Sequence, residues 1–145
     1  MGMKPKGTFA ILSALPLLIG AAPGTAPITV AVSGVGAAEG RVRVDICTPA
    51  TFTYETCPYH ATAPASAGTT TVTVAGVPPG TYAAQAYWDR EGNGKGGRNF
   101  MGMPTELVGF SRDPKVGMAR PKFTGSAFEH GPGGTRIAFR VRKIP

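Results

Sequence analysis

The sequence predicts an all-β domain built as two packed antiparallel sheets. Three observations predict it. Gly and Pro are dense, 21 and 14 in 145 residues, and both break helices: Gly gives up backbone entropy and Pro lacks the N–H a helix needs. Several stretches alternate apolar and polar side chains at every second residue, the period of a half-buried strand. Turn-forming clusters separate those stretches at intervals suited to short strands. The length is that of one domain with one core.

The first segment reads as an address. Lys4 and Lys6 precede an apolar run from Phe9 to Ala22, followed by small residues through Ala26, the order of a secretory signal. Residues 1–26 are therefore expected to be a signal peptide and residues 27–145 a single β-sandwich domain. The run is shorter than the roughly 20 apolar residues of a bilayer-spanning helix and contains Pro16, so an anchor is the weaker reading. A buried N-terminal helix is the alternative. No Cys follows the run to carry a lipid.

Export bears on Cys47 and Cys57, the two cysteines of the chain. An oxidising compartment would join them as a disulfide, and the Cys-x-x-Cys spacing of a redox pair is missing. Two cysteines and two histidines at these spacings also make a poor zinc site.

The strands follow in order. Pro27 to Ser33 places Ile28, Val30 and Val32 on one side. Gly40 to Cys47 places Val42, Val44 and Ile46 on one face and Arg41, Arg43 and Asp45 on the other. Pro49 to Gly68 has no sustained period and reads as a connection with one edge strand at most. Thr69 to Val77 is a β-branched strand, closed by Pro78-Pro79-Gly80, two fixed φ angles and a permissive Gly that enforce a turn. Thr81 to Asp89 sets Tyr82, Ala84, Ala86 and Trp88 on one face. Thr135 to Lys143 points Ile137, Phe139 and Val141 inward and Arg136, Arg140 and Arg142 outward. Such strands suggest an immunoglobulin-like antiparallel sandwich. Between the last two lies 90–134, glycine-rich and irregular, which is where a functional loop is expected.

Within that segment the run Trp88-Asp89-Arg90-Glu91-Gly92-Asn93-Gly94-Lys95, then Asn99-Phe100-Met101-Gly102-Met103-Pro104-Thr105-Glu106 and Gly109-Phe110-Ser111, resembles a family of exported bacterial proteins, the domain-of-unknown-function (DUF) 2141 family. Its pattern is roughly His-Asp-x-Asn-Gly-Asn-Gly-Lys-x-Asp, Asn-Phe-x-Gly-x-Pro-x-Glu and Gly-Phe-Ser. The resemblance extends to Pro79-Gly80-Thr81-Tyr82-Ala83, Pro121, Phe123 and Ala127-Phe128. It implies a prealbumin-like sandwich and carries no activity with it. Trp88, Glu91 and Gly97 depart from the family's His, Asn and Asp.

The residues allow several chemistries. Asp89, Glu91 and Asn93 alternate as oxygen donors and Gly94 permits a sharp turn, as in the first half of a calcium loop. The twelfth position is Phe100 and not the required Glu, and Lys95 and Arg98 bring repulsive charge. A loop whose Asp89 and Asn93 bond their own backbone is the competing reading. With Asn99, Glu106 and Ser111, these residues form the candidate ligand or loop motif.

Without Lys4 and Lys6, thirteen basic residues face eight acidic ones. Arg41 and Arg43 together with Arg136, Arg140 and Arg142 would make a basic outer face if their strands are neighbours, suited to peripheral contact with an anionic surface. A solvated surface is the plainer reading. Nucleic acid is not expected, because no stacking aromatics accompany the basic residues.

No catalytic residue is assigned and the chain is expected not to be an enzyme. No Gly-x-Ser-x-Gly elbow occurs, and Ser111, Asp113 and His130 are merely compatible in order with a triad. Phe100, Phe110, Phe123 and Phe128 with Met101, Met103 and Met118 would either line an apolar pocket or fasten the long segment to the sheet, fastening being favoured. The expectation is an exported protein, periplasmic or secreted, acting as a non-catalytic binding or structural module for an envelope component or small ligand. No cofactor is expected, calcium being the one candidate. The alternative is a calcium-stabilised or polyanion-binding envelope protein.

Overall fold

The structure is a computed structural model that describes residues 2, 24–54, 56–92, 94 and 106–144. The expected signal segment lies almost wholly outside them, as do Asn93, Lys95, Asn99, Phe100, Met101 and Met103.

Among the described residues the chain forms strands β1 (Ala26–Val35), β2 (Arg41–Cys47), β3 (Tyr59–Pro64), β4 (Gly68–Val77), β5 (Gly80–Asp89), β6 (Val108–Phe110), β7 (Ala127–His130) and β8 (Thr135–Arg140), with a single helical turn, α1 (Phe123–Ser126), before β7. One sheet has the order β4-β1-β8 and the other β3-β2-β5-β6, with β7 also on β5. The two short strands lie end to end along β5: β7 pairs Gly80–Ala83 and β6 pairs Gln85–Tyr87.

The alternating stretches become the faces that meet. Ile28, Val30 and Val32 of β1, Val72 and Val74 of β4, and Phe139 of the first sheet pack on Val42, Val44 and Ile46 of β2 and Tyr82, Ala84, Ala86 and Trp88 of β5. Each fully buried Val or Ile contributes about 1.5–3 kcal/mol relative to exposure. The all-β sandwich is thus the observed fold. Two features differ from a uniform antiparallel arrangement of the expected strands, while a third fits the expectation. β8 runs parallel to β1, with Val30 opposite Ile137 and Val32 opposite Phe139. The Pro49–Gly68 connection contributes the one edge strand its sequence allowed, β3. The long segment after Arg90 contributes β6 and β7, which at three and four residues are too short to show a period in sequence.

Two glycines mark places where backbones touch. Gly40 has φ +68°, and a side chain there would collide with the Asp89 and Arg90 carbonyls. A Cβ on Gly109 would collide with the Arg140 carbonyl. The latter approach lets Val108 and Arg142 exchange backbone hydrogen bonds of 3.0 and 2.8 Å, joining the sheets along one side.

A second, smaller cluster lies on the outer face of the second sheet. The Cys47–Cys57 disulfide, with both residues at most 2% exposed, packs with Phe52 and Ala83 beneath Phe110 and Phe123. Phe52 meets Phe110 edge-on at 5.7 Å and Phe123 at 6.1 Å. The disulfide loop and the segment after β6 therefore cover one half of that face.

Candidate functional site

The other half of that face is polar and leads into the glycine-rich loop. Because side chains alternate along a strand, the outward positions of β2 and β5 face one another in a ladder: Arg41 opposite Asp89, Arg43 opposite Tyr87, Asp45 opposite Gln85, and Cys47 opposite Ala83. The last pair belongs to the disulfide cluster and the first to the root of the loop.

Between them Asp45 is 7% exposed. A buried carboxylate needs partners. Its Oδ1 accepts from Arg43 Nε at 2.8 Å and its Oδ2 from Gln85 Nε2 at 3.3 Å. Gln85 Oε1 in turn accepts from Thr53 N at 3.2 Å, tying the network to the disulfide loop, where Thr53 holds φ +65°. Burial pulls the Arg43 guanidinium down, but the hydrogen bond and charge of Asp45, with Tyr87, leave its pKa above the ordinary value. Burial raises the Tyr87 hydroxyl; Arg43 draws it down and the carboxylates of Asp45, Asp89 and Glu106 push it up again, with a net rise. In the sequence alone Asp45 is one polar position on a strand face shared with outward arginines. The pattern Arg43-x-Asp45, two charges on one strand face, was the available hint.

The loop root is built by Asp89, which is 3% exposed. Its Oδ1 accepts from Gly92 N at 3.0 Å and its Oδ2 from Gly94 N at 2.7 Å. Gly92 and Gly94 both have positive φ, +68° and +75°. Both carboxylate oxygens are thus turned on the loop's own backbone, the competing reading for this residue. Of the other calcium donors, Glu91 is exposed and Asn93 lies outside the described residues. Among the described residues no three His, Cys, Asp or Glu side chains are grouped to hold a metal ion. On the inner side of the root, Trp88 Nε1 donates to the Glu39 carbonyl at 2.7 Å. Arg90 lies 5.1 Å from the Trp88 ring centroid and pairs with Glu39 at 2.9 Å. Trp88 therefore anchors the loop against the β1–β2 connection. Leu107 O accepts from Trp88 N at 3.0 Å, so the described residues before and after 95–105 meet at this strand.

Ser111 is structural in its contacts: its hydroxyl donates to the Ser126 carbonyl at 2.5 Å and accepts from Ala84 N at 2.9 Å. His130 and Asp113 are engaged elsewhere. His130 bonds Thr135 and two strand carbonyls, and Asp113 accepts from Arg140 N at 3.0 Å and pairs with Arg142 at 3.6 Å.

The single basic face is not assembled, because its condition fails. β2 and β8 belong to different sheets, so Arg41 and Arg43 stand on one outer surface and Arg136 and Arg140 on the other. Arg41 bonds Thr62 Oγ1 at 3.2 Å, and Arg43 is held by Asp45. Of the aromatic and methionine set, Phe110 and Phe123 fasten the long segment to the disulfide cluster and Phe128 packs on the main core. Met118 takes no part, at 89% exposed.

The fold and this site define a two-sheet β-sandwich with a disulfide-pinned outer layer and a glycine-rich loop rooted on Asp89. The sequence pattern of the family described as "Uncharacterized protein conserved in bacteria (DUF2141)" matches residues 30–138, three quarters of the chain, and the protein belongs to that family. No match was found among curated proteins or among solved structures.

Proposed function

We propose that this protein is an exported, non-catalytic module that presents the outer face of its second sheet, and the loop rooted on Asp89, to an envelope component or small ligand. The observation that carries the reading is the buried Cys47–Cys57 disulfide, a bond that persists in oxidising compartments and is rare where thiols are kept reduced. The charged, apolar, small-residue order of residues 1–26 supports the same destination. No helix among the described residues is long and apolar enough to cross a membrane. The side chains of Ser111, Asp113 and His130 are each held by separate structural partners, which favours binding over covalent chemistry. A polyanion-binding reading draws less support, since the outward arginines are divided between the sheets.

The test is fractionation of bacteria expressing the full chain, with thiol alkylation before reduction. Recovery outside the cytosol, shortened at its N-terminus and resistant to alkylation, is the expected result. Full-length protein in the cytosol with both thiols alkylated would overturn the proposal. For the binding half, wild type should retain a component of envelope extract that a variant of the exposed Glu91 side chain, Glu91→Ala, retains less well.

A further inference from the structure

Exposed apolar side chains standing among cations suit a surface that meets lipid head groups and the acyl chains just below them. Among the described residues the large hydrophobic side chains left exposed are Tyr54, at 68%, and Met118, at 89%. One ribbon of chain brings them together. The connection from β6 to α1, residues 111–122, is tethered near its start by Asp113, which accepts from Arg140 N and pairs with Arg142 at 3.6 Å. Near its end Arg120 donates to the Thr53 carbonyl at 3.3 Å and stands 4.7 Å over the Tyr54 ring. Between these tethers Lys115, Gly117, Met118 and Ala119 are exposed, and just outside them so are Arg112 and Lys122.

We propose that this ribbon, with Tyr54, docks the protein on an anionic lipid surface, its cations against the head groups and Met118 entering the boundary with the acyl chains. Within residues 111–122, Arg112, Lys115, Arg120 and Lys122 face one acid, Asp113, whose carboxylate already has Arg142. Glu55, next to Tyr54 in sequence, would subtract one further charge and leave the excess positive. The Asp113 tether also brings Arg140 and Arg142 to the ribbon, so these arginines, separated from Arg41 and Arg43, have other basic neighbours. Each cation held close to an anionic lipid surface strengthens binding about fivefold. Tyr rings are enriched at the depth of the head groups, and the unbranched Met side chain adapts to irregular apolar surroundings.

Other occupants fit these observations less well. A second copy would set like charge against like charge. Residues 1–23 and 95–105 carry no acidic side chain, so neither segment supplies the complement. An acidic glycan would answer the cations and leave Tyr54 and Met118 in water. A protein partner is held by side chains seated in pockets, whereas the hollow on this side, among Val108, Asp113, Val116, Arg140 and Ile144, holds about 10 Å³, the space of one water. A lipid surface requires no pocket. The inference uses a different surface from the proposed function and does not rest on it.

Vesicle cosedimentation of the disulfide-bonded full chain tests it. Wild type is expected to pellet with phosphatidylcholine vesicles that contain phosphatidylglycerol, and to be released as salt is raised. A Lys115→Glu/Lys122→Glu variant with unchanged circular dichroism should bind at least about twentyfold more weakly. Met118→Ser should bind about fourfold more weakly and keep its salt dependence. Wild type and both variants share residues 1–26, so any contribution of that apolar run is common to them. Equal binding by wild type and the charge-reversed variant overturns the proposal. So does a Met118→Ser variant that binds as wild type does, the result expected if the cations serve an acidic polymer or an acidic protein instead. If the charge-reversed variant misfolds, a Met118→Trp variant decides: its added emission must shift to the blue on phosphatidylglycerol vesicles and not on phosphatidylcholine alone, and an unshifted emission overturns the proposal.

Discussion

The Nε2 of His130 lies 2.9 Å from the carbonyl oxygen of Val77, the last residue of β4. The same nitrogen is 3.1 Å from the carbonyl of Ala26, the first residue of β1. Two acceptors on one ring nitrogen require that nitrogen to carry the proton, so Nδ1 accepts from the Thr135 hydroxyl at 2.7 Å in the neutral ring. One imidazole from β7 of the second sheet thereby gathers the ends of β1 and β4 in the first and the start of β8. Two buried carbonyls would lose their shared donor in a His130→Leu variant. That variant should cost about 2–3 kcal/mol in urea unfolding, and a cost below about 0.5 kcal/mol would show that water replaces the ring.

The disulfide should act locally. Closing so short a loop restrains the unfolded chain by about 2.5 kcal/mol in the chain-entropy picture. A Cys47→Ala/Cys57→Ala variant should unfold at correspondingly lower denaturant yet keep the β signature in circular dichroism. The reason is that the main core of Val, Ile and Trp88 side chains is built without either sulfur. Loss of the whole fold on reduction would contradict this division.

Gly40 should tolerate no side chain. Its φ of +68° is strained for any other residue, and an added Cβ would meet the Asp89 and Arg90 carbonyls. Gly40→Ala is expected to cost about 2 kcal/mol or more by thermal melting. Gly68→Ala, also at positive φ but with open space around it, should cost only the backbone strain.

Alkaline pH should destabilise the protein through its tyrosines. Burial raises Tyr82 and Tyr87 above the usual tyrosine value of about 10. Below that value both hydroxyls are protonated in the folded and unfolded chain, and the stabilisation is complete. As pH climbs past it the unfolded chain releases its protons first, so stability falls until the folded groups have titrated as well. Tyr82→Phe, which also removes the 2.8 Å bond to the Pro78 carbonyl, should lower stability at neutral pH by about 1 kcal/mol. The double variant with Tyr87→Phe should flatten the alkaline decline seen by urea titration.

Asp89 should matter to the loop with or without calcium. Its two oxygens bond Gly92 N and Gly94 N, so Asp89→Ala is expected to lower stability by about 1–2 kcal/mol. Calorimetry of wild type should show no heat with millimolar calcium; binding heat that disappears in the variant would reassign the carboxylate to a metal.

Much of the fold was legible because alternation is a local property. Val42, Val44 and Ile46, or Tyr82, Ala84, Ala86 and Trp88, declare one buried face wherever the strand is finally placed. The Cys47–Cys57 pair followed from there being two cysteines, and the motif around Asp89 from its residues. Strands β6 and β7 were not legible, since Val108–Phe110 and Ala127–His130 are strands only because β5 offers an edge to them. The role of Asp45 was equally hidden, as it depends on Gln85, forty residues away in sequence.

By itself the sequence determined which side of each extended stretch is apolar, and with that an all-β sandwich with a glycine-rich excursion after Asp89. Tertiary structure alone decided which strands are neighbours. It set β8 parallel beside β1, divided the arginines between two sheets, and turned His130 from a triad candidate into a clamp on Ala26 and Val77. The physical reason is that burial of a face is specified within a few residues, whereas pairing, register and the partners of a buried polar atom are fixed only when distant segments meet.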